Sequence, residues 1–239
     1  MDFQEGEILL FDKELDWTSF DLVRKVRNKL CRELGVKKLK VGHAGTLDPK
    51  ATGLMILCTG KATKKIESIQ AEIKEYITTL KLGATTPSFD LESDEDEQYP
   101  TEHITRELLQ EVLVKFTGEQ QQTPPIFSAV RVNGKRAYEH ARKGDDIELT
   151  PKKIRIDTLE ILSFQDNLLE LRVVCSKGTY IRALARDIGN ELKSGAYLVQ
   201  LRRTQIGAHR VENALDLNYF LENIPQFISD SMQSSTKNG

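Results

Sequence analysis

Apolar positions recur along this chain with two different periods. Ile8-Leu9-Leu10-Phe11 is a short continuous apolar run and reads as a buried strand. Thr18, with Asp21 three residues on, fits a capping box. Val23, Val26, Leu30 and Leu34 then recur at helical spacing until Gly35 stops the helix. Residues 54–58 form a compact apolar run, the pattern of a central strand. Residues 75–82 alternate, with Tyr76, Thr78, Leu80 and Leu82 on one face. The acidic stretch 90–97 predicts an exposed, mobile loop. Ile104, Leu108, Val112 and Phe116 mark a second helix closed by Gly118, and Gln120 to Pro125 reads as irregular. Residues 129–133 are strand-like, with Asn133-Gly134 as a tight turn. Residues 154–164 and 168–175 predict a hairpin across Asp166-Asn167. Residues 179–192 predict a third helix that turns Ile181, Leu184, Ala185 and Ile188 toward the core, and residues 197–206 another strand. The mixture lacks the strict alternation of a doubly wound fold, which favours an α+β domain with a largely antiparallel or mixed sheet. No internal repeat is visible.

Composition refines this picture. With 39% hydrophobic and 29% charged residues in 239, the chain is long enough to bury a core. No run approaches the roughly 18 apolar residues of a membrane span, and Met1 to Glu5 lacks the features of a signal peptide. The expected location is the cytoplasm. Three widely spaced cysteines (Cys31, Cys58, Cys175) and four scattered histidines predict neither a disulfide framework nor a metal site.

The net charge of -2 hides a segregation. Six of the 36 acids lie between Asp90 and Glu97, leaving 30 against 34 Lys+Arg elsewhere. From Val36 to Ile66 there are seven lysines and one acid, Asp48. Such a local field steers a polyanion, although lysine runs are also simply solvated faces.

Asp48 lies in the most unusual segment of the chain, Val41 to Gly53. Three glycines there signal an unusual backbone path. Pro49 biases Asp48 toward an extended conformation. The segment feeds a buried strand and so displays one carboxylate on a stiff loop at a sheet end. Composition alone leaves Asp48 open as an ordinary Asp-Pro turn residue.

Gly42-His43-Ala44-Gly45-Thr46-Leu47-Asp48-Pro49 with Ala51-Thr52-Gly53 closely resembles the signature of the TruB family of pseudouridine synthases. Further blocks match in order. They are Leu10-Phe11-Asp12-Lys13, then Tyr76, then Thr123 to Ala129 with Gly134, Arg136, Ala137, Tyr138, Glu139, Ala141, Arg142 and Gly144. Cys175 to Arg182 with Asp187 and finally Leu201-Arg202-Arg203 complete the set. The resemblance spans about residues 7 to 210. Ala44 and Arg131 depart from the family's commoner Thr and Lys, and too few residues follow Arg210 to build the RNA-binding PUA domain of many bacterial members.

The resemblance implies a pseudouridine synthase fold, an α+β architecture with a central mixed, mostly antiparallel sheet flanked by helices and loops. It implies one catalytic domain over residues 1–228, with an RNA-binding insertion at about 123–150 and a disordered tail at 229–239. The implied reaction is isomerisation of uridine 55 in the T-loop of tRNA, without metal or cofactor. Asp48, Tyr76 and Arg182 are the implied catalytic residues, with Arg182 holding the Asp48 carboxylate bidentately. Tyr76 would stack on the flipped base, and His43 would fill the space it vacates. Lys13, Arg136, Tyr138, Arg142, Tyr180, Leu201, Arg202 and Arg203 are implied substrate contacts. The implied partner is the tRNA T-arm, met by a monomer without a membrane or an obligate protein partner. Three alternatives compete: a guide-dependent H/ACA-type synthase, a non-catalytic tRNA-binding or folding module, and a carboxylate-dependent hydrolase.

Overall fold

The computed structural model describes residues 1–128, 130–132, 134–137 and 149–228, with only the backbone at 131, 132, 135 and 136. Chain order is β1 (Ile8–Lys13), α1 (Ser19–Glu33), β2 (Val41–His43), β3 (Ala51–Thr59), α2 (Ile66–Ala71), β4 (Lys74–Leu82), β5 (Ala84–Thr85) and β6 (Glu97–Gln98). It continues with α3 (Arg106–Lys115), β7 (Gly118–Gln122), β8 (Arg131–Val132), β9 (Lys135–Arg136), β10 (Lys152–Gln165) and β11 (Leu168–Cys175). The last elements are α4 (Ile181–Glu191), β12 (Ala196–Ile206), β13 (His209–Arg210) and α5 (Leu217–Glu222). The architecture is α+β, as the sequence pattern predicts. The chain groups into two compact units, one of residues 1–72 with those from 202 on, the other Ile73–Leu201.

In the first unit β1 runs antiparallel to β3, from Ile8↔Cys58 to Lys13↔Gly53. The continuous apolar run of β3 is buried on both faces, as a central strand requires. One face joins Ala44, Ile69, Ile206 and Val211 in a core cluster. β1 itself alternates, with Leu9 and Phe11 buried and Ile8 and Leu10 only partly so. Thr18 caps α1 with the full capping box, and Leu22, Val23, Val26 and Leu30 are its buried stripe. Phe11 and Phe3 meet Phe220 of α5 edge-on, at 5.3 and 6.0 Å between ring centres.

In the second unit β4, β11, β10 and β7 lie side by side in that order, with residues 196–201 of β12 on the far side of β4. β4 buries Lys74, Tyr76, Thr78, Leu80 and Leu82 on one face, as its alternation predicts. The β10–β11 hairpin turns at Asp166 and Asn167, whose φ values of 51° and 61° suit a two-residue loop. Helix α4 buries Ile181, Leu184, Ala185 and Ile188, the predicted stripe.

Three expectations change. Gln120 to Gln122 lies in β7 and pairs with β10, because the glutamines supply edge-strand ladder bonds before Thr123-Pro124-Pro125 ends the strand. The buried face of α3 is Leu109, Val112 and Leu113. Ile104 precedes the Thr105 cap, so the stripe is set one residue later than predicted. The acidic stretch is exposed at Glu92 and from Asp94 to Glu97, as expected, but Asp90 is 2% exposed, Lys81 bridges Glu95 at 2.6 Å, and Thr85 donates to Asp96. Of the expected insertion, the structure describes the hairpin pairing Arg131 with Arg136 and Val132 with Lys135. Ala129, Asn133, Tyr138, Arg142 and the tail 229–239 lie outside the described residues.

Two glycines test how space and backbone strain combine. Gly35 (φ +64°) faces open space, whereas a Cβ on Gly53 (φ +103°) would lie 2.2 Å from the Arg203 carbonyl oxygen. Gly35→Ala should cost about 1 kcal/mol and Gly53→Ala at least about 3 kcal/mol in urea denaturation. Equal losses would show that the close approach to Arg203 is immaterial.

Candidate active site

The first unit builds a braced loop around Asp48. β2 pairs with the end of β3 through Val41↔Thr59 and His43↔Leu57, and Ala44 N donates to Ile56 O at 2.8 Å. The chain then leaves the ladder, so its backbone groups need other partners. Arg203, 1% exposed, supplies two, with Nη2 donating to Gly45 O at 3.1 Å and Nη1 to Thr46 O at 3.4 Å, while its Nε donates to Leu54 O of β3 at 2.8 Å. The Ser19 hydroxyl reaches both backbone groups of Leu47. Asp48 O accepts from Ala51 N at 3.0 Å, and Pro49 O accepts from Asp16 N at 2.9 Å. Asp48, half-buried, is thereby held on both sides along the chain.

Lys13 sits beneath this loop, 1% exposed. Its Nζ donates to Trp17 O at 2.7 Å and Glu14 O at 2.9 Å, with Pro49 O at 3.4 Å. Burial pushes its pKa down to about 8, against the opposing pull of Asp48 and Asp16 and with the push of Arg203. His43 is also shifted down, first by burial and then by Arg203, with the Gly45 backbone opposing; its Nδ1 is buried without an aligned hydrogen bond. Burial therefore favours the neutral imidazole.

Lys13 and Arg203 are thus buried residues that hold this loop through its backbone carbonyls. Arg202, next in line on the opposite face of β12, is half-exposed and holds Asp12 through a two-pronged contact at 2.6 and 3.0 Å. Four lysines of the basic segment do cluster in space: Lys38, Lys40, Lys61 and Lys64 line an open concavity of about 490 Å³. Lys61 there also bridges Glu5 at 2.6 Å.

The second unit holds other predicted residues, among them Arg182, which is 6% exposed in the first turn of α4. Its Nη1 donates to Ser88 O at 3.2 Å and Nη2 to Phe127 O at 2.8 Å, while Nε lies 3.4 Å from Asp90 Oδ2. Asp90 Oδ1 in turn accepts from Ser88 Oγ at 2.6 Å and Glu92 N at 2.9 Å. Asp48 belongs to the first unit, so the carboxylate that Arg182 engages within its own unit is Asp90. Tyr76 is 8% exposed on β4, opposite Val173 of β11. Leu201 is 7% exposed. Tyr180 caps α4 with its backbone, which a single side chain clamps: Tyr180 N donates to Gln122 Oε1 at 2.8 Å, and Gln122 Nε2 donates to Tyr180 O at 3.2 Å. The side chain of Arg136 and all of Tyr138 and Arg142 lie outside the described residues.

Sequence reasoning missed Ser19, Asp90 and Gln122. Ser19 was absorbed into the capping signal, and Asp90 into the acidic run. Gln122 was absorbed into a polar stretch read as irregular. Among the described residues no group of acidic, histidine and cysteine side chains could hold a metal, and no helix is long and apolar enough to cross a membrane.

Comparison with known proteins places the chain in a family. Residues 32–181 match the model of the TruB family pseudouridylate synthase N-terminal domain. The tRNA pseudouridine synthase B of Phocaeicola vulgatus is 61% identical over 226 residues, covering 95% of this chain and 96% of that protein. The tRNA pseudouridine synthase B of Parabacteroides distasonis is 61% identical over 232 residues, covering 97% of each. Among solved structures, a chain from a Cbf5–Nop10–Gar1 complex superposes with a TM-score of 0.70 at 26% identity. The match covers 96% of this chain and 57% of that one.

The buried lysine makes stability depend on pH. Lys13 has a pKa of about 8 in the fold, against 10.5 ordinarily. Between those values the unfolded chain binds the extra proton, so raising the pH stabilises the native state through this group. Measured against Lys13→Met by urea denaturation, wild type should gain roughly 1–3 kcal/mol between about pH 7 and about pH 10. Parallel pH profiles would refute a buried, shifted amine.

Proposed function

Because the chain belongs to the TruB family of pseudouridylate synthases, we propose that it converts uridine 55 in the tRNA T-loop to pseudouridine with Asp48 as the reacting carboxylate. The single observation that carries the reading is the braced loop. It presents the only acid of the basic Val36–Ile66 segment with the backbone on either side pinned. The isomerisation breaks the N1–C1′ bond, rotates the uracil and rejoins it through C5, with no net redox change and no cofactor. A carboxylate suits the step in which the sugar must be held while the base turns, by adding to C1′ or by driving formation of a glycal.

The other residues have roles within that reading. Neutral His43 offers the T-loop a flat, uncharged surface where the extruded base had stacked. Tyr76 stacks on the flipped base. Lys13 adds a buried positive charge that interacts with Asp48. The concavity lined by Lys38, Lys40, Lys61 and Lys64 fits the phosphates of the T-arm. Arg182, with its guanidinium fixed on Ser88, Phe127 and Asp90, takes the catalytic role that the family resemblance gives it, and residues 1–228 act as one catalytic domain. The enzyme works as a monomer in the cytoplasm. Relatives named for tRNA, each matched over almost its whole length at 61% identity, support this reading over a guide-dependent one.

The decisive measurement is pseudouridine formation in tRNA under single-turnover conditions. Asp48→Asn should fall to background while tRNA affinity stays within about threefold of wild type. Turnover near the wild-type rate would sink the assignment and leave an RNA-binding module without this chemistry.

Arg182→Lys should also slow the reaction, by about 100-fold. Lysine keeps the charge but cannot reach Ser88 O, Phe127 O and Asp90 with one fork. A rate within about threefold of wild type would reduce Arg182 to a nearby positive charge.

A further inference from the structure

We propose that Ser19 is a positioning residue for the isomerisation: its hydroxyl fixes the peptide plane from which Asp48 projects. The inference rests on Asp48 as the reacting carboxylate. Ser19 is the first residue of α1 and is 4% exposed. Its Oγ donates to Leu47 O at 3.0 Å and accepts from Leu47 N at 2.9 Å.

The chemistry of this contact is specific. Leu47 O and Asp48 N belong to one planar peptide. Holding the oxygen therefore holds the Asp48 nitrogen and the direction in which its Cα bears the carboxylate. The preceding plane, Thr46–Leu47, is held at one end by Arg203 Nη1 and at the other by Ser19. The following plane is held by the bond from Ala51 N to Asp48 O. Three successive planes are pinned, and the Ser19 side chain touches two of them. Leu47 is itself 4% exposed, so its side chain cannot swing without leaving the core.

The hydroxyl is not needed for its own helix. Thr18 already caps α1, accepting from Asp21 N, and Asp21 returns the bond to the Thr18 backbone. Removing the Ser19 oxygen would leave two backbone groups of a buried residue without this partner. It would also free the plane on which Asp48 is mounted. Errors of about an ångström at a reacting centre cost on the order of 100-fold in rate.

The test uses the full chain and whole tRNA. Ser19→Ala should lower the single-turnover rate constant by about 10- to 100-fold, with the tRNA dissociation constant within about twofold of wild type. Ser19→Thr, which keeps the hydroxyl, should lose less than about tenfold. Val26→Ala, a cavity in the same helix at a side chain 0% exposed, serves as the stability control. A Ser19→Ala rate within about threefold of wild type overturns the inference. So does a Val26→Ala variant of equal stability loss that slows equally, because the role would then be merely structural. If Ser19→Ala does not fold, Ser19→Cys, similar in size but a weak hydrogen-bonding group, takes its place under the same criteria. An active Asp48→Asn would instead refute the catalytic reading beneath it.

Discussion

Arg203 carries its charge to a position 1% exposed, where it hydrogen-bonds two backbone carbonyls of the segment around Asp48 and one of β3. Taking a guanidinium out of water is costly, and carbonyl dipoles offset that cost only if their geometry is kept. The constraint therefore works in both directions. The loop satisfies the charge, and the charge holds the loop in a path no regular ladder would hold. Gly53 is part of the same arrangement. Its positive φ and missing Cβ let β3 pass the Arg203 backbone closely enough for the side chain to turn under Gly45 and Thr46. Along β12 the alternation of the strand gives neighbouring arginines opposite fates, Arg203 inward to the loop and Arg202 outward to Asp12.

The second unit solves a similar problem with other residues. Arg182 sits at the start of α4, where the backbone carbonyls of Ser88 and Phe127 converge with the Asp90 carboxylate. The helix carrying it is set in place by the Gln122 amide, which makes a two-point contact with the Tyr180 backbone much as a neighbouring strand would. In both units a chain segment outside any ladder is held by a buried side chain from a distant part of the sequence. Such contacts rigidify only when every member is satisfied.

That distance explains what the sequence could and could not disclose. Elements with a strong local period were legible: the capped α1, the alternating β4, the Asp166-Asn167 hairpin and the stripe of α4 all follow from neighbours within a turn or a strand. β7 was not, because a run of glutamines becomes a strand only through its partner Lys152 to Ile156, some thirty residues later. The α3 stripe slipped by one residue because Ile104 is apolar but lies before the cap. Asp90 read as one more solvated acid, since nothing local reveals an arginine ninety-two positions away. The Asp48 loop was legible as a motif by resemblance, yet the resemblance did not disclose that Lys13 and Arg203 also hold it, because those bonds join residues far apart in sequence.

Why brace a reacting carboxylate with buried polar groups, when apolar packing would stabilise the fold at less cost? Apolar contacts are non-directional and tolerate a degree of sliding. A hydrogen bond to a peptide oxygen sets the orientation of a whole peptide plane. The burial of Lys13 works against its charged form, so the arrangement is not optimised for stability alone. A less strained site would move Lys13 to the surface and lose its donors to Trp17, Glu14 and Pro49. Natural sites depart from the stability optimum where geometry must be exact at the reacting group. The cluster of Lys13, Ser19 and Arg203 around residues 45–49 is such a departure, and its position along the chain is centred on Asp48.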